Sequence, residues 1–238
     1  MTLSRPVLER PARVVTVLGM HRSGTSCLTG SLQASGLTLG KVFAPAAHNK
    51  KGNQENPDIV AMHDVMLASN NANWDAPIAR CEWTDGNKNT ATRIVNEYAE
   101  LSLWGFKDPR TLMTIDGWLE LIPHLERVGI FRHPLSVAQS LAARNKFPTE
   151  KSLKIWFRYN SLLLREYQRQ PFPIISFDAK KEDFLRNVRR LVDSLHLDFS
   201  DKHSDFFAED LRAHNEKSVA KLPIKVMDLY SQLQKIAW

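Results

Sequence analysis

The sequence predicts an α/β fold of three layers, in which helices cover both faces of a mostly parallel central sheet. The first observation is a glycine-containing stretch, GMHRSGTS at residues 19–26, between a short apolar run and a helical pattern. The second is that short apolar runs alternate with helical patterns along the chain, which is typical of parallel sheets covered by helices. The 238 residues fit one domain, and we treat residues 1–238 as a single unit.

The first predicted unit is a strand at residues 14–18, the glycine loop, and a helix that ends before Gly36. A polar loop over residues 40–57 follows, and loops of this length in compact domains are commonly functional. Asn56-Pro57-Asp58 then predicts a helix start, because proline suits the first helical turn. The apolar face of that helix comprises Ile59, Met62, His63 and Met66.

After a polar segment over residues 70–90, the pattern predicts four helices and three strands before a helical remainder broken at Leu222-Pro223. The predicted helices are residues 92–103, 111–121, about 135–145 and 150–169. The predicted strands are residues 104–106, 127–131 and 173–177.

The composition indicates a packed globular protein with an excess of positive charge. The net charge of +6 favours anionic partners, and because Lys and Arg are spread along the chain a phosphorylated small molecule fits it as well as a nucleic acid. No run approaches the roughly 18 apolar residues of a membrane span, and charges interrupt the N-terminal segment where a signal peptide is apolar. The two cysteines form no zinc-type spacing, so we expect a cytoplasmic protein without a metal site.

The glycine loop has the features of an anion-binding P-loop. A glycine turn that leads into a helix presents backbone N–H groups and the positive end of the helix dipole to an anion. Ser23, Thr25 and Ser26 add hydroxyl donors, and Arg22 adds a planar cation that suits oxyanions. Thr25 stands where nucleotide triphosphatases place lysine, which disfavours a terminal phosphate and Mg²⁺. An ordinary strand-to-helix turn is the alternative interpretation.

A second motif, GIFRHPLSVAQS at residues 129–140, places Arg132 at the end of a strand and Pro134 at the start of a helix. Ser140 follows about two turns into that helix. A ligand on that side of the helix would allow Arg132 and Ser140 to act together. Taken alone, an arginine at a strand end and a serine on a helix surface are more ordinary.

Together these segments resemble the sulfotransferases that use 3′-phosphoadenosine 5′-phosphosulfate (PAPS). The resemblance rests on RSGTS and RHPLSVAQS and extends through KGNQENPDIV, WGFKDPRT, LAARN, KIWFRYN and PIISFD, so that it covers most of residues 13–178. It is closest to the bacterial members and is similar, in the Arg-Ser-Gly-Thr and Lys-Asp-Pro elements, to the tyrosylprotein sulfotransferases. It implies a P-loop-type fold and PAPS as the co-substrate.

The resemblance also implies roles for single residues. The 5′-phosphosulfate would be held by Arg22, Ser23, Gly24, Thr25 and Ser26. The 3′-phosphate would be held by Arg132 and Ser140, and Lys107 matches a catalytic lysine near the transferring group. The chain departs from the cytosolic branch, which has lysine at the position of Arg22, and it has no clear Arg-Lys-Gly element near the C-terminus. Arg212 is the possible substitute for that element.

Transfer to an alcohol needs a base, and the family uses either a histidine or a glutamate. We expect Glu55, in the loop segment KGNQEN, to be the base; a solvated loop carboxylate is the alternative. His48 in the same loop and His63 on the helix face are the rival bases, although a packed core histidine is the ordinary role for His63. His21 lies inside the P-loop, where it could touch the donor or point to solvent.

Three further pairs have mainly structural interpretations. Asp108 and Arg110 flank Pro109, and we expect an ion pair that holds this turn. Trp156 and Asn160 are one helical turn apart, which favours core packing. The pair Trp74-Asp75 would line an acceptor cleft or belong to a satellite core.

The resemblance therefore implies a sulfotransferase that acts on a hydroxyl of a carbohydrate, small molecule or peptide, with Glu55, Lys107 and Arg22 as catalytic residues. No nucleic-acid partner is expected. A P-loop kinase that uses ATP and Mg²⁺ is the first alternative, and a nucleotide-binding protein without activity is the second.

Overall fold

The computed structural model describes residues 12–43, 52–198 and 222–238. A four-stranded sheet lies at its centre, with the strand order β2-β1-β3-β4 and parallel pairing between all neighbours. The strands are β1 Arg13–Leu18, β2 Leu103–Lys107, β3 Glu126–Phe131 and β4 Ile174–Ser176. The predicted α/β class and the parallel sheet are confirmed.

Helices pack on both faces of this sheet. Apolar residues of α1 and α7 form a core on one face, and apolar residues of the other described helices form a larger core on the opposite face. The helices are α1 Thr25–Ala34, α2 Pro57–Ser69, α3 Asp85–Asn96, α4 Thr111–Leu121, α5 Pro134–Asn145, α6 Thr149–Arg169, α7 Lys181–Ser194 and α8 Ile224–Ile236. No helix in these described ranges is long and apolar enough to cross a membrane.

The strands are apolar on both sides because each side meets a helical layer. In β1, Val15 and Val17 contact the α1/α7 core, whereas Val14 and Leu18 contact the larger core. All four side chains are almost fully buried. This double burial explains why the strand appears in the sequence as an apolar run, in which the buried Thr16 is the one polar residue between Val14 and Leu18.

One predicted helix is wrongly placed. The pattern predicted residues 92–103, but α3 begins at Asp85 and ends at Asn96. Thr84 and Asn87 form a reciprocal capping box that starts the helix within a segment we expected to be a loop. Beyond Asn96 the chain forms turns, and Leu103 already belongs to β2.

The parallel sheet places the functional loops at one edge. The P-loop follows β1, Lys107 ends β2, and Arg132 follows β3, so these segments all lie at the carboxyl end of the sheet. This edge is where ligands bind in open parallel sheets. His48 and Arg212 lie outside the described residues.

Candidate active site

The P-loop turns sharply before α1. Gly24 has a φ of +89° and stands at the N-cap of α1, and a Cβ atom there would lie 2.3 Å from Cδ2 of Phe177. Only glycine therefore fits this position. Arg22 has a φ of +66°, which is uncommon for a residue with a side chain. The turn leaves the first N–H groups of α1 without helical partners, as an anion site requires.

Arg22 connects the two phosphate-binding segments predicted from the sequence. Its Nε donates a hydrogen bond of 2.7 Å to Oγ of Ser140 on α5. Burial lowers the pKa of Arg22, and the nearby charges of Arg144 and Arg132 act in the same direction. Two further guanidinium groups thus lie within electrostatic range of Arg22, which is unfavourable unless an anion binds among them.

Arg132, one of the two arginines near Arg22, is held by residues that follow β4 and by α6. Its guanidinium is 5.2 Å from the centre of the Phe177 ring, and its Nε is 3.9 Å from Oδ1 of Asp178. Trp156 donates a hydrogen bond of 2.8 Å to the backbone oxygen of Arg132. In this structure Ser140 contacts Arg22, so the two segments meet through the P-loop arginine.

Glu55 and Lys107 form an ion pair in the centre of the site. Nζ of Lys107 lies 2.8 Å from Oε1 of Glu55, and both side chains are largely buried. The same ammonium is 3.4 Å from Oγ of Ser26, which itself donates to the backbone oxygen of Asn53. The predicted base, the predicted lysine and the P-loop are therefore in direct contact.

Burial moves both members of this pair towards their neutral forms. It raises the pKa of the Glu55 carboxyl, although the charge of Lys107 acts against it. It also lowers the pKa of the Lys107 ammonium, although the charge of Glu55 acts against that shift. A carboxylate whose pKa is raised in this way is a better proton acceptor near neutral pH than an exposed glutamate.

These residues surround a cavity of about 360 Å³. Its polar lining includes Arg22, Thr25, Ser26, Glu55 and Lys107, all of which the sequence had singled out. Ser23 is fully buried, and its Oγ has no hydrogen-bond partner among the described residues. The cavity is large enough for a nucleotide's phosphosulfate end and part of an acceptor.

An aromatic group forms another part of the cavity wall. The His21 ring lies 4.9 Å from the Trp74 ring and 5.8 Å from the Tyr159 ring, and Trp74 also stacks on Phe147. Burial lowers the pKa of His21 to about 3, and the charge of Arg110 acts in the same direction. His21 is therefore a neutral cavity residue and does not point freely into solvent.

His63 is not positioned to be the base. It is completely buried, with Nδ1 2.9 Å from Oδ2 of Asp108 and Nε2 2.9 Å from Nε1 of Trp118. The expected ion pair between Asp108 and Arg110 is present, with a distance of 3.0 Å from Oδ1 to Nη1. Burial alone would raise the pKa of Asp108, but the His63 hydrogen bond and the Arg110 charge outweigh it and keep the pKa low.

The remaining pairs also have structural partners. Trp156 and Asn160 are buried, and Asn160 donates to the backbone oxygen of Trp156, which confirms the expected core packing. Asp75 forms an ion pair with Lys151, whereas its neighbour Trp74 lines the cavity.

The sequence analysis gave no role to two polar residues at the end of α5. Arg144 and Asn145 line the cavity from the end of α5. Arg144 lies four residues after Ser140, so helical spacing places both on one face of α5. That spacing was the signal in the sequence that could have identified Arg144.

A family model described as "Sulfotransferase family" matches residues 15–201. The comparison with curated proteins gave no match.

Solved structures of low sequence identity share the fold. The sulfotransferase domain of the Synechococcus PCC 7002 olefin synthase is 14% identical, with a TM-score of 0.63 and 98% of each chain covered. The sulfotransferase domain from the curacin biosynthetic pathway is 14% identical, with a TM-score of 0.59 over 95% of this chain and 99% of the other. Sulfotransferase STF9 from Mycobacterium avium is 14% identical, with a TM-score of 0.54 over 95% of this chain and 75% of the other.

Proposed function

The chain belongs to the sulfotransferase family, and from this premise we propose that it transfers the sulfonate group of PAPS to a hydroxyl of an acceptor. The observation that carries the proposal is the buried pair of Glu55 and Lys107, 2.8 Å apart and in contact with the P-loop residue Ser26. A base, a cation and an anion-binding loop in one cavity are what this reaction needs.

Two different groups of residues would hold the two ends of the donor. The N–H groups at the start of α1, the P-loop hydroxyls and Arg22 would bind the 5′-phosphosulfate. Arg132 and Ser140, together with the exposed Arg144, would bind the 3′-phosphate. Ser140 accepts its hydrogen bond from Arg22, so its own hydroxyl proton remains available for a phosphate oxygen.

The transfer itself is an in-line displacement at sulfur. The acceptor oxygen forms a new bond to sulfur while the bond between sulfur and the bridging oxygen of the 5′-phosphate breaks. Glu55 takes the proton of the acceptor hydroxyl, and Lys107 and Arg22 stabilise the charge that develops on the sulfonate and the departing phosphate. The products are the sulfated acceptor and adenosine 3′,5′-bisphosphate.

The acceptor would enter beside the aromatic part of the cavity wall. Trp74, supported by Phe147 behind it, and the neutral His21 offer an apolar surface with a polar edge. Such a surface suits the non-reacting part of a carbohydrate, a small molecule or a peptide side chain. The acceptor's hydroxyl would then point to Glu55.

The proposal is tested by following the labelled sulfonate of [³⁵S]PAPS with a panel of sugars, phenols and peptides. We expect label in at least one acceptor, with release of adenosine 3′,5′-bisphosphate, and a loss of about 100-fold or more in Glu55→Gln because a positioned base contributes roughly that factor. Glu100→Gln, an exchange of an exposed carboxylate, is the matched control. Transfer of the γ-phosphate of ATP, or no use of PAPS with any acceptor, would overturn the proposal.

A further inference from the structure

His63 is a buried histidine that the proposed reaction does not use, yet it contacts the turn that carries Lys107. It lies on α2, and its Nδ1 is 2.9 Å from Oδ2 of Asp108, the residue directly after Lys107. Neither the imidazole nor the carboxylate is accessible to solvent. A buried ionised carboxylate is costly unless it is paired, so this contact contributes strongly to how α2 docks.

The neighbours of His63 define its protonation state. The indole N–H of Trp118 on α4 can only donate a hydrogen bond, and it points at Nε2 of His63 from 2.9 Å. Nε2 must therefore be an unprotonated acceptor, with Oγ1 of Thr114 also 3.1 Å away. The proton is consequently on Nδ1, which donates it to Asp108.

Asp108 in turn holds the turn after β2. Its Oδ1 accepts hydrogen bonds from the backbone N–H of Arg110 at 2.9 Å and from Nη1 of Arg110 at 3.0 Å. Arg110 also reaches back to α2, where its Nε is 2.7 Å from Oδ1 of Asp64. The turn from Lys107 to Arg110 is thus fastened to α2 at two adjacent residues, and the buried contact is the one made by His63.

The attachment of α2 to this turn determines where the side chains of Glu55 and Lys107 meet. Glu55 stands two residues before the first residue of α2, and Lys107 immediately precedes Asp108. A displacement of α2 against the turn would therefore change the distance of 2.8 Å between Glu55 and Lys107. No other bond between side chains of α2 and this turn is shielded from water among the described residues.

We propose that His63 is a positioning residue, whose hydrogen bond from Nδ1 to Asp108 fixes α2 against the Lys107 turn and so aligns Glu55 with Lys107. The inference rests on the proposed function, because it takes these two residues as the catalytic pair. In this proposal His63 acts through Asp108 and does not contact the substrate.

Two substitutions of His63 distinguish a role in aligning Glu55 with Lys107 from a role in core packing alone. Asparagine places an amide N–H near the position of Nδ1 and can still donate to Asp108. Glutamine places its terminal group near Nε2, where it can accept from Trp118 but leaves Asp108 without its donor. We expect kcat to fall about 10- to 100-fold in His63→Gln, with the KM for PAPS nearly unchanged, and to be largely retained in His63→Asn.

The assay uses [³⁵S]PAPS and the best acceptor of the panel, with His124→Gln as the same exchange at an exposed histidine. Equal kcat in His63→Gln and wild type would overturn the inference. So would losses of kcat in both His63 variants that simply follow their losses of thermal stability. If the wild-type protein transfers no sulfonate, the proposed function itself fails.

A measurement on the wild-type protein tests the tautomer without any activity. The ¹⁵N chemical shifts of the His63 ring are expected to show a protonated Nδ1 and an unprotonated Nε2. A ring that carries its proton on Nε2 alone would overturn the inference, because Nδ1 could then not donate to Asp108, and this result is decisive even if neither variant folds.

Discussion

At the scale of single residues, the buried pair of Glu55 and Lys107 explains how a P-loop without lysine could still supply a positive charge. Thr25 occupies the position of the usual lysine, and Lys107 reaches the same cavity from β2 instead. The Lys107 ammonium is paired with Glu55, the residue that we propose as the base. The charge of each group therefore influences the pKa of the other.

The pH dependence of transfer follows from this burial. Glu55 must be ionised to accept a proton, and burial raises its pKa above the ordinary value of 4.5. Transfer is therefore lost as the pH falls through a pKa higher than 4.5, so the acid limb of kcat/KM lies at higher pH than for an exposed glutamate. A pH profile of kcat/KM measures this, and an acid limb at or below 4.5 would contradict the assignment.

The contact between Arg22 and Ser140 predicts energetic coupling between the two phosphate sites. We expect Ser140→Ala to weaken adenosine 3′,5′-bisphosphate binding more in the wild-type background than in Arg22→Lys, with a coupling of about 1 kcal/mol. The reason is that lysine cannot reproduce the planar guanidinium that bonds Ser140 through Nε. Calorimetric titration of the four proteins measures the cycle, and additive losses would show that the two residues act independently.

Gly24 provides a test of the P-loop turn, with Gly36 as the matched control. Both have positive φ, +89° and +103°, but an added Cβ meets Phe177 only at Gly24 and open space at Gly36. Alanine is expected to cost about 1–2 kcal/mol of stability at either position because of the left-handed backbone. Gly24→Ala should lower the melting temperature further and should alone impair bisphosphate binding. Equal effects of the two variants would contradict the importance of the Phe177 contact.

At the scale of elements, the start of α2 determines how the base is presented. The Asn56 side chain caps α2 by accepting from the N–H groups of Asp58 and Ile59, and its amide donates to Oη of Tyr98 at 2.7 Å. Glu55 is the preceding residue. A change at this cap therefore disturbs the helix end and the base together.

The caps of α2 and α3 can be compared directly. Asn56→Ala and Thr84→Ala are each expected to cost about 1 kcal/mol, because each removes a side-chain cap. Only Asn56→Ala should also reduce kcat, since α3 contributes no residue to the lining of the cavity. Thermal unfolding and transfer assays on both variants measure this, and equal activity of the two would contradict the role of the α2 cap.

The same elements show what local sequence patterns can predict. The strand, glycine loop and α1 were predictable because turn chemistry, apolar runs and helical spacing lie within a few neighbouring residues. The placement of α3 was wrong because a capping box within a polar stretch resembles a loop. The beginning of α2 was predictable from Asn56 and Pro57, which are strong start signals.

At the scale of the whole molecule, the site depends on contacts that no local pattern contains. Glu55 and Lys107 are 52 residues apart, and Arg22 and Ser140 are 118 apart. β1 lies between β2 and β3, so the parallel sheet brings the segments that follow these strands to one edge. Glu55 joins them there from the segment between α1 and α2. The resemblance to a family supplied the candidates, whereas their partners, including Arg144 and the bonds of His63, follow from the strand order and helix packing.

The donor preference of the wild-type protein tests the central claim most directly, since it does not depend on the acceptor. Calorimetry gives the Kd for adenosine 3′,5′-bisphosphate, adenosine 5′-phosphate and ATP with Mg²⁺. We predict the tightest binding for the bisphosphate, and we predict that Arg132→Ala removes its advantage over adenosine 5′-phosphate while Arg158→Ala, at an exposed position on α6, does not. Tighter binding of ATP with Mg²⁺ would contradict the account.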